Sequence, residues 1–161
     1  MAEPDYYERL GLPRRFSFLA ADLERNYLAR SREIHPDRAG EAPEVLDASA
    51  RLNEAYATLR DPFRRAEYLL SLLGGPGATE VKQAPPEFLE EMLELRMSIE
   101  EAKHDPAARA ELERELSERR ARLLDAVARQ LDEPPPNLLA IRMQLNAMRY
   151  VNGLLRDLSE D

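Results

Sequence analysis

The chain has 161 residues, no cysteine and a formal net charge of −8. Without cysteine it can form neither disulfides nor thiolate-ligated metal centres, and its acidity argues against general nucleic-acid binding, which requires neutralisation of phosphates. No apolar run has the length of a membrane span, and the first residues lack the basic and apolar regions of a secretory signal, so we expect a cytoplasmic protein without membrane association.

Residues 1–75 are predicted to form one compact helical unit, which begins with two helices. The run DYYERLGLP gives a short helix that stops at its GLP end. Residues 22–34 place Leu23, Tyr27 and Ile34 at helical spacing, so this segment should bury one face of a helix. Pro36 ends it, since a proline disfavours helical geometry in the residue before it.

A second long helix follows, and a short helix closes the unit. In the long helix, five side chains recur every three or four residues: Val45, Ser49, Leu52, Tyr56 and Leu59. Asp61-Pro62 then supplies a cap and a first-turn proline for the helix FRRAEYLLSLL, which ends at Gly74-Gly75. Two long antiparallel helices joined by a loop and flanked by short helices make a unit large enough to fold alone.

The second half is predicted to be a linker followed by an antiparallel three-helix bundle, which makes the fold all-α. Glycine and proline in GGPGATEVKQAPP indicate a linker or stiff joint at 76–85. Over 86–161, Pro86 begins the first helix, Asp105-Pro106 caps the second and Asn137 caps the third, with short connections that favour antiparallel neighbours. The predicted seam of the last helix consists of Leu138, Ile141, Leu145, Met148, Asn152 and Leu155.

The tripeptide His35-Pro36-Asp37 has three interpretations on residue chemistry alone. The first is an ordinary helix stop with a histidine beside it by chance. The second is a metal or acid–base site, although His104 is the only other histidine and no nucleophile or phosphate-binding motif accompanies the tripeptide. The third is a recognition loop for another protein. The residues by themselves leave all three open.

The order of these elements resembles a J-domain. YYERLGLP, a helix, HPD and a second helix ending in LNEAYATLRDPFRRAEY occur in that family's order, over residues 4–73. The resemblance implies that the tripeptide caps a hairpin of two antiparallel helices and contacts a DnaK-type ATPase chaperone. By carry-over, the chaperone-binding residues are His35, Pro36 and Asp37, with Arg25 and Arg32 in a basic docking face. Asp37 would meet a cation of the chaperone in a charge-assisted hydrogen bond.

The second half narrows the resemblance to the HscB family, the J-domain co-chaperones of iron–sulfur cluster assembly. LNEAYATLRDPFRRAEYLLSLLG, followed by a bundle that opens with FLEEMLELR, is similar to that family. The resemblance implies a protein that is not an enzyme and that needs no cofactor or metal. It would bind an IscU-type scaffold, on which a cluster is built, and deliver it to a DnaK/HscA-type chaperone whose ATPase it stimulates. The implied scaffold-binding residues are Leu89, Leu93, Glu94, Glu101 and Tyr150.

The first bundle helix carries two adjacent apolar lines, independently of any resemblance. One line contains Phe88, Met92, Leu95 and Ile99, and the other contains Leu89, Leu93 and Met97. One line suffices to bury a helix against two neighbours, so the second either widens the core or remains exposed as a patch. Flanking glutamates would give an exposed patch an acidic rim suited to a basic partner: Glu90, Glu91, Glu94 and Glu101.

Two other functions are compatible with parts of the sequence. A general J-protein would hand unfolded chains to a DnaK-type chaperone, and its choice of client would distinguish it from a carrier of one folded scaffold. A small hydrolase using His35 and Asp37 would need a pocket around them, whereas the tip of a helical hairpin offers a convex, solvated surface. The expected function is therefore a non-enzymatic adaptor with two separate binding surfaces.

Overall fold

The computed structural model describes residues 3–160, apart from the side chain of Pro36, and within that range the chain forms helices and no strand. The helices are α1 (Tyr6–Arg9), α2 (Ala20–Glu33), α3 (Pro36–Ala39), α4 (Pro43–Arg60), α5 (Pro62–Leu72), α6 (Pro86–Ala102), α7 (Pro106–Asp132) and α8 (Leu138–Ser159). The predicted all-α class is confirmed. The chain divides after Leu69 into two compact units. Among the described residues, no helix has both the length and the apolar content to cross a membrane.

The first unit is built on a hairpin of α2 and α4. The rings of Tyr27 and Tyr56 stack with centroids 4.0 Å apart, and the Tyr27 hydroxyl donates to Asn53 Oδ1 at 2.7 Å. The Tyr56 hydroxyl donates to Glu24, and this hydrogen bond raises the pKa of Tyr56. Because position 24 meets position 56 while position 27 meets position 53, the two helices run antiparallel, as the sequence predicts.

The short helices of the first unit begin at side-chain caps. The N–H of Glu8 donates to Asp5 Oδ1 at 2.8 Å at the start of α1, and the N–H of Phe63 donates to Asp61 Oδ1 at 2.9 Å at the start of α5. The predicted cap at Asp61 is therefore confirmed. Tyr6 of α1 stacks on Tyr68 of α5 with ring centroids 4.3 Å apart. Tyr68 also contacts the ring of Tyr7, so these aromatic contacts join α1 to α5.

The second unit has its core between α6, α7 and α8. The predicted caps are confirmed, since Asp105 accepts from the N–H of Ala107 at 3.1 Å and Asn137 accepts from the N–H of Ala140 at 3.0 Å. Arg109 of α7 donates to the carbonyl of Leu158 in α8, and at the opposite ends Gln130 donates to Gln144. The two helices are thus antiparallel. One cluster of this core consists of Met92, Leu95, Ile99, Ala102, Leu112, Leu116, Val151, Leu154 and Leu158.

The buried face of α8 departs from the predicted seam in its C-terminal half. Ile141, Leu145 and Met148 are buried as predicted, and Leu138 is half-buried. Leu155 is half-buried but packs against the core, whereas Asn152 is half-buried and polar, so the prediction is wrong at Asn152. The core positions at that end are Val151, Leu154 and Leu158. A single heptad seam describes a helix with one partner, whereas α8 packs against both α6 and α7 and therefore buries a wider arc.

The segment for which the sequence predicts a linker is held against α8, and we name residues 76–85 the strap. The Asn146 side-chain amide donates to the carbonyl of Val81 at 2.9 Å and to that of Gln83 at 2.8 Å. The amide is itself oriented by Arg142, whose Nε donates to Asn146 Oδ1 at 3.1 Å. Arg142 is only 1% exposed and Asn146 is half-buried, so this polar network runs from the core of the unit to its surface.

Replacing Asn146 with alanine should release the strap and lower the free energy of unfolding of the second unit. Two backbone carbonyls and the buried Arg142 lose a hydrogen-bond partner, a loss of about 2–3 kcal/mol. Urea unfolding followed by circular dichroism measures the change. The matched control is Asn152→Ala on the same helix. The Asn152 side chain accepts one long hydrogen bond from Arg120, at 3.4 Å, so its replacement should cost less than about 0.5 kcal/mol. Equal losses in the two variants would show that the amide does not hold the strap.

Candidate protein-binding surfaces

The tripeptide His35-Pro36-Asp37 lies where the α2–α4 hairpin turns. α2 ends at Glu33, and Pro36 opens the single turn α3, a position that suits proline because no helical partner is lost there. The helix stop predicted before Pro36 is thus confirmed, whereas α3 itself was not predicted. The side chain of Pro36 lies outside the described residues.

Both flanking side chains of the tripeptide face solvent. His35 is 56% exposed and Asp37 is 92% exposed. The N–H of Asp37 donates to His35 Nδ1 at 3.2 Å, and that nitrogen lies 3.5 Å from Asp37 Oδ2. With Nδ1 as an acceptor, the neutral imidazole carries its proton on Nε2, which leaves an outward-facing donor beside an outward-facing carboxylate. This geometry favours recognition of another molecule over chemistry in an enclosed pocket.

The surroundings of His35 are an open surface depression. An open depression of about 330 Å³ beside it is lined by Ser31, Arg32 and Arg38 in addition to His35 and Asp37. Across the described part of the chain, no three His, Asp or Glu side chains converge to form a possible metal site. The site is therefore a charged turn that is open to solvent.

The two arginines predicted for a docking face lie on the exposed side of α2. Arg25 is paired with Asp22 of the same helix through Nη2 and Oδ1 at 2.7 Å, whereas Arg32 lines the depression beside His35. Between them on the same face lies Leu28, an exposed apolar side chain that the sequence interpretation missed. The sequence did indicate that Leu28 is exposed, since Leu28 falls outside the helical series of buried residues that includes Leu23.

The second apolar line of α6 is exposed, and we name Leu89, Leu93 and Met97 the α6 patch. Their side chains are 45%, 62% and 67% exposed, respectively, whereas Met92 and Ile99 of the first line are buried. The alternative in which both lines belong to the core is therefore wrong. Residues four apart lie above one another on a helix, so the patch forms one stripe that continues to Glu101.

Tyr150 of α8 lies beside the N-terminal half of α6. Its ring meets Phe88 edge-on, with centroids 6.1 Å apart, and the guanidinium carbon of Arg96 lies 5.5 Å from the ring centroid. Arg96 lies two helical turns after Leu89, on nearly the same face of α6, so the half-buried Tyr150 ring lies on the side of α6 that carries Leu89. The cation–π contact and the aromatic pair hold the ring in one orientation.

One glutamate of the acidic rim predicted around the patch forms an ion pair within the fold. Glu91 forms an ion pair with Arg119 of α7 and so ties α6 to its neighbour. The remaining glutamates, Glu90, Glu94 and Glu101, are exposed and form no ion pair with any described residue. The patch therefore combines apolar side chains with carboxylates that are available to a partner, and Glu91 is removed from the predicted rim.

Comparison with known proteins gives matches over both units. Residues 5–68 match the family model described as the DnaJ domain, and residues 84–159 match the HSCB C-terminal oligomerisation domain. A co-chaperone protein HscB homolog from Bordetella petrii is 40% identical over 139 residues, which cover 83% of this chain and 82% of the relative. The homolog from Chromobacterium violaceum is 38% identical over 118 residues, covering 70% and 67%.

Solved structures give similar matches. Chaperone HscB from Vibrio cholerae has 31% sequence identity and a TM-score of 0.79, covering 96% of this chain and 95% of that one. Human co-chaperone protein HscB has 26% identity and a TM-score of 0.83, covering 96% and 80%. The similarity thus extends over nearly the whole chain.

Proposed function

The chain belongs to the HscB family of J-domain co-chaperones, and from this premise we propose how its two surfaces are used. Membership confirms the resemblance predicted from the sequence and makes the chain a non-enzymatic co-chaperone of iron–sulfur cluster assembly. We propose that it binds an IscU-type scaffold protein through its second unit and delivers it to a DnaK/HscA-type chaperone. On this proposal the first unit stimulates the ATPase of that chaperone.

The chaperone-binding surface consists of the tripeptide and the exposed face of α2. The outward carboxylate of Asp37 suits a charge-assisted hydrogen bond to a cation on the chaperone. Arg25 and Arg32 suit acidic groups on the same partner, and Leu28 between them adds an apolar contact. The observation that supports this assignment most is the exposure of both His35 and Asp37 at the hairpin turn.

The scaffold-binding surface consists of the α6 patch with Tyr150, Glu94 and Glu101. Apolar side chains at the centre of an interface supply most of the binding free energy, and Leu89, Leu93 and the Tyr150 ring are placed for that role. Charged groups at the rim mainly direct association, so the available glutamates favour a scaffold with basic residues around an apolar depression.

The two surfaces act together through proximity. A scaffold held by the second unit is presented to the chaperone at high effective concentration once the first unit is bound. If contact with the tripeptide favours the chaperone state that hydrolyses ATP and traps its client, then client binding and co-chaperone binding reinforce each other thermodynamically. A protein without cysteine performs this transfer without ligating the cluster's iron through thiolates.

An ATPase assay with two kinds of client tests the proposal. A DnaK/HscA-type chaperone is mixed with the protein alone, with an IscU-type scaffold or with a chemically denatured protein, and ATP turnover is measured. We expect stimulation by the protein alone and a further increase with the scaffold but not with the denatured protein. The reverse preference would favour the general J-protein, and absence of any stimulation would overturn the chaperone assignment.

A further inference from the structure

A cationic cleft lies in the second unit between the strap, α6 and α8. It is open to solvent and has a volume of about 600 Å³. Its lining includes four basic side chains, Lys82, Arg96, Arg149 and Arg156, and a single carboxylate, that of Asp157. Beyond Arg96 the neighbouring surface carries Glu160 and the ion pair of Lys103 with Glu100, so the excess of positive charge does not continue there.

The charge of the cleft opposes that of the chain. The protein carries a formal charge of −8, whereas the ionisable groups that line the cleft sum to +3. Lys82, Arg96 and Arg156 form no ion pair with any described carboxylate, so the fold does not neutralise them. Like charges gathered in a concave surface focus the local potential and attract anions.

The walls of the cleft are fixed by contacts on either side of it. The strap wall is held by the Asn146 hydrogen bonds to the carbonyls of Val81 and Gln83. On the opposite wall, Arg96 lies over the ring of Tyr150, which limits the positions its guanidinium can take. A charged group positioned before binding loses less conformational entropy when its ligand arrives.

Gly153 lines the cleft from the middle of α8. Glycine in a helix interior costs about 1 kcal/mol relative to alanine. No close packing requires it, because a Cβ built at this position would meet only Arg156 Nη2, at 3.8 Å. The missing side chain instead keeps the floor of the cleft open between Tyr150 and Arg156.

We propose that the cationic cleft binds carboxylates of an acidic segment of the client protein. Guanidinium groups form paired hydrogen bonds with planar carboxylates, and the cleft presents those of Arg96 and Arg156. An open cleft suits side chains carried on a protein surface, whereas small-molecule sites enclose most of their ligand. Tyr150 borders both this cleft and the α6 patch, so one client can contact both. The identity of that client rests on the proposed function.

Charge-neutral substitutions test the cleft directly. The double variant Lys82→Gln/Arg156→Gln should weaken binding of an IscU-type scaffold about tenfold at low salt, as measured by isothermal titration calorimetry. The difference should shrink as salt rises, because exposed charges are screened. The control Arg122→Gln/Arg129→Gln removes the same net charge from exposed positions of α7 outside the cleft and should change affinity less than about twofold.

A second variant removes the concern that lost binding reflects lost folding. Gly153→Glu places a carboxylate inside the cleft and replaces glycine by a better helix former, so thermal stability should be unchanged or higher. Scaffold affinity should nevertheless fall as it does in the Lys82→Gln/Arg156→Gln variant. A stable Gly153→Glu protein with unchanged affinity would overturn the proposal.

Probes that contain no scaffold separate this inference from the proposed function. Hexaglutamate peptide and inorganic phosphate are titrated into the full chain while amide chemical shifts around Gly153 are followed. Shifts with hexaglutamate but no scaffold binding would sustain the carboxylate site and reject the scaffold as client. Equal scaffold binding by the wild type and by Lys82→Gln/Arg156→Gln would sustain the scaffold as client and reject the carboxylate site. Binding of phosphate alone would overturn the carboxylate assignment in favour of a phosphate ligand.

Discussion

Replacing His35 with glutamine is expected to abolish stimulation of the chaperone's ATPase while scaffold binding stays unchanged. The imidazole accepts from the N–H of Asp37 at 3.2 Å and presents its other nitrogen to solvent, a geometry that a flexible amide cannot keep. Loss of one hydrogen bond to a charged partner costs about 1.5–3 kcal/mol, so stimulation should fall at least about tenfold. Steady-state ATP turnover by a DnaK/HscA-type chaperone measures the effect.

The other histidine provides the matched control for this substitution. His104 lies in the connection between α6 and α7 and is exposed, so His104→Gln makes the same chemical change away from the hairpin turn. Its stimulation and scaffold affinity should equal those of the wild type. Thermal unfolding of His35→Gln should also be unchanged, since the His35 side chain is exposed and its hydrogen bond is to the N–H of Asp37 in the same turn. Full stimulation by His35→Gln would contradict the assignment of the tripeptide.

Local chemistry accounts for the parts of the fold that the sequence predicts well. Asp61, Asp105 and Asn137 each cap a helix by accepting from N–H groups two or three residues away, so a short window contains all the atoms involved. The single turn α3 was missed because Pro36 was interpreted only as the end of the preceding helix, whereas proline also suits the first position of a new one. The seam of α8 was wrong at Asn152 because the number of neighbouring helices is a tertiary property.

The candidate surfaces show the same division between local and tertiary information. Periodicity placed Leu93 and Met92 on adjacent lines of α6 but could not say which line meets α7 and α8. Composition indicated a linker at the strap, yet Asn146 binds its carbonyls from 63 and 65 residues away. The cationic cleft was missed for that reason too, since its basic side chains come from three separate segments and converge only in the folded unit.

Replacing Leu89, Leu93 and Tyr150 together with alanine should weaken scaffold binding at least about a hundredfold. The two leucines are about half exposed or more, so a partner that covers them removes apolar surface from water, worth about 25 cal/mol per Å². Stimulation of the chaperone's ATPase without scaffold should stay at the wild-type level, because the tripeptide belongs to the other compact unit. Calorimetry and the turnover assay report the two activities separately.

Two controls separate binding from folding in this triple variant. Leu139→Ala truncates a leucine of α8 that is similarly exposed but lies outside the α6 patch, and it should leave affinity unchanged. Tyr150→Phe keeps the ring that meets Phe88 and Arg96, so its affinity should stay close to that of the wild type. Loss of ATPase stimulation together with scaffold binding would count against two separable surfaces. Two separable surfaces would be demonstrated if the triple variant kept ATPase stimulation but lost scaffold binding, and His35→Gln kept scaffold binding but lost ATPase stimulation.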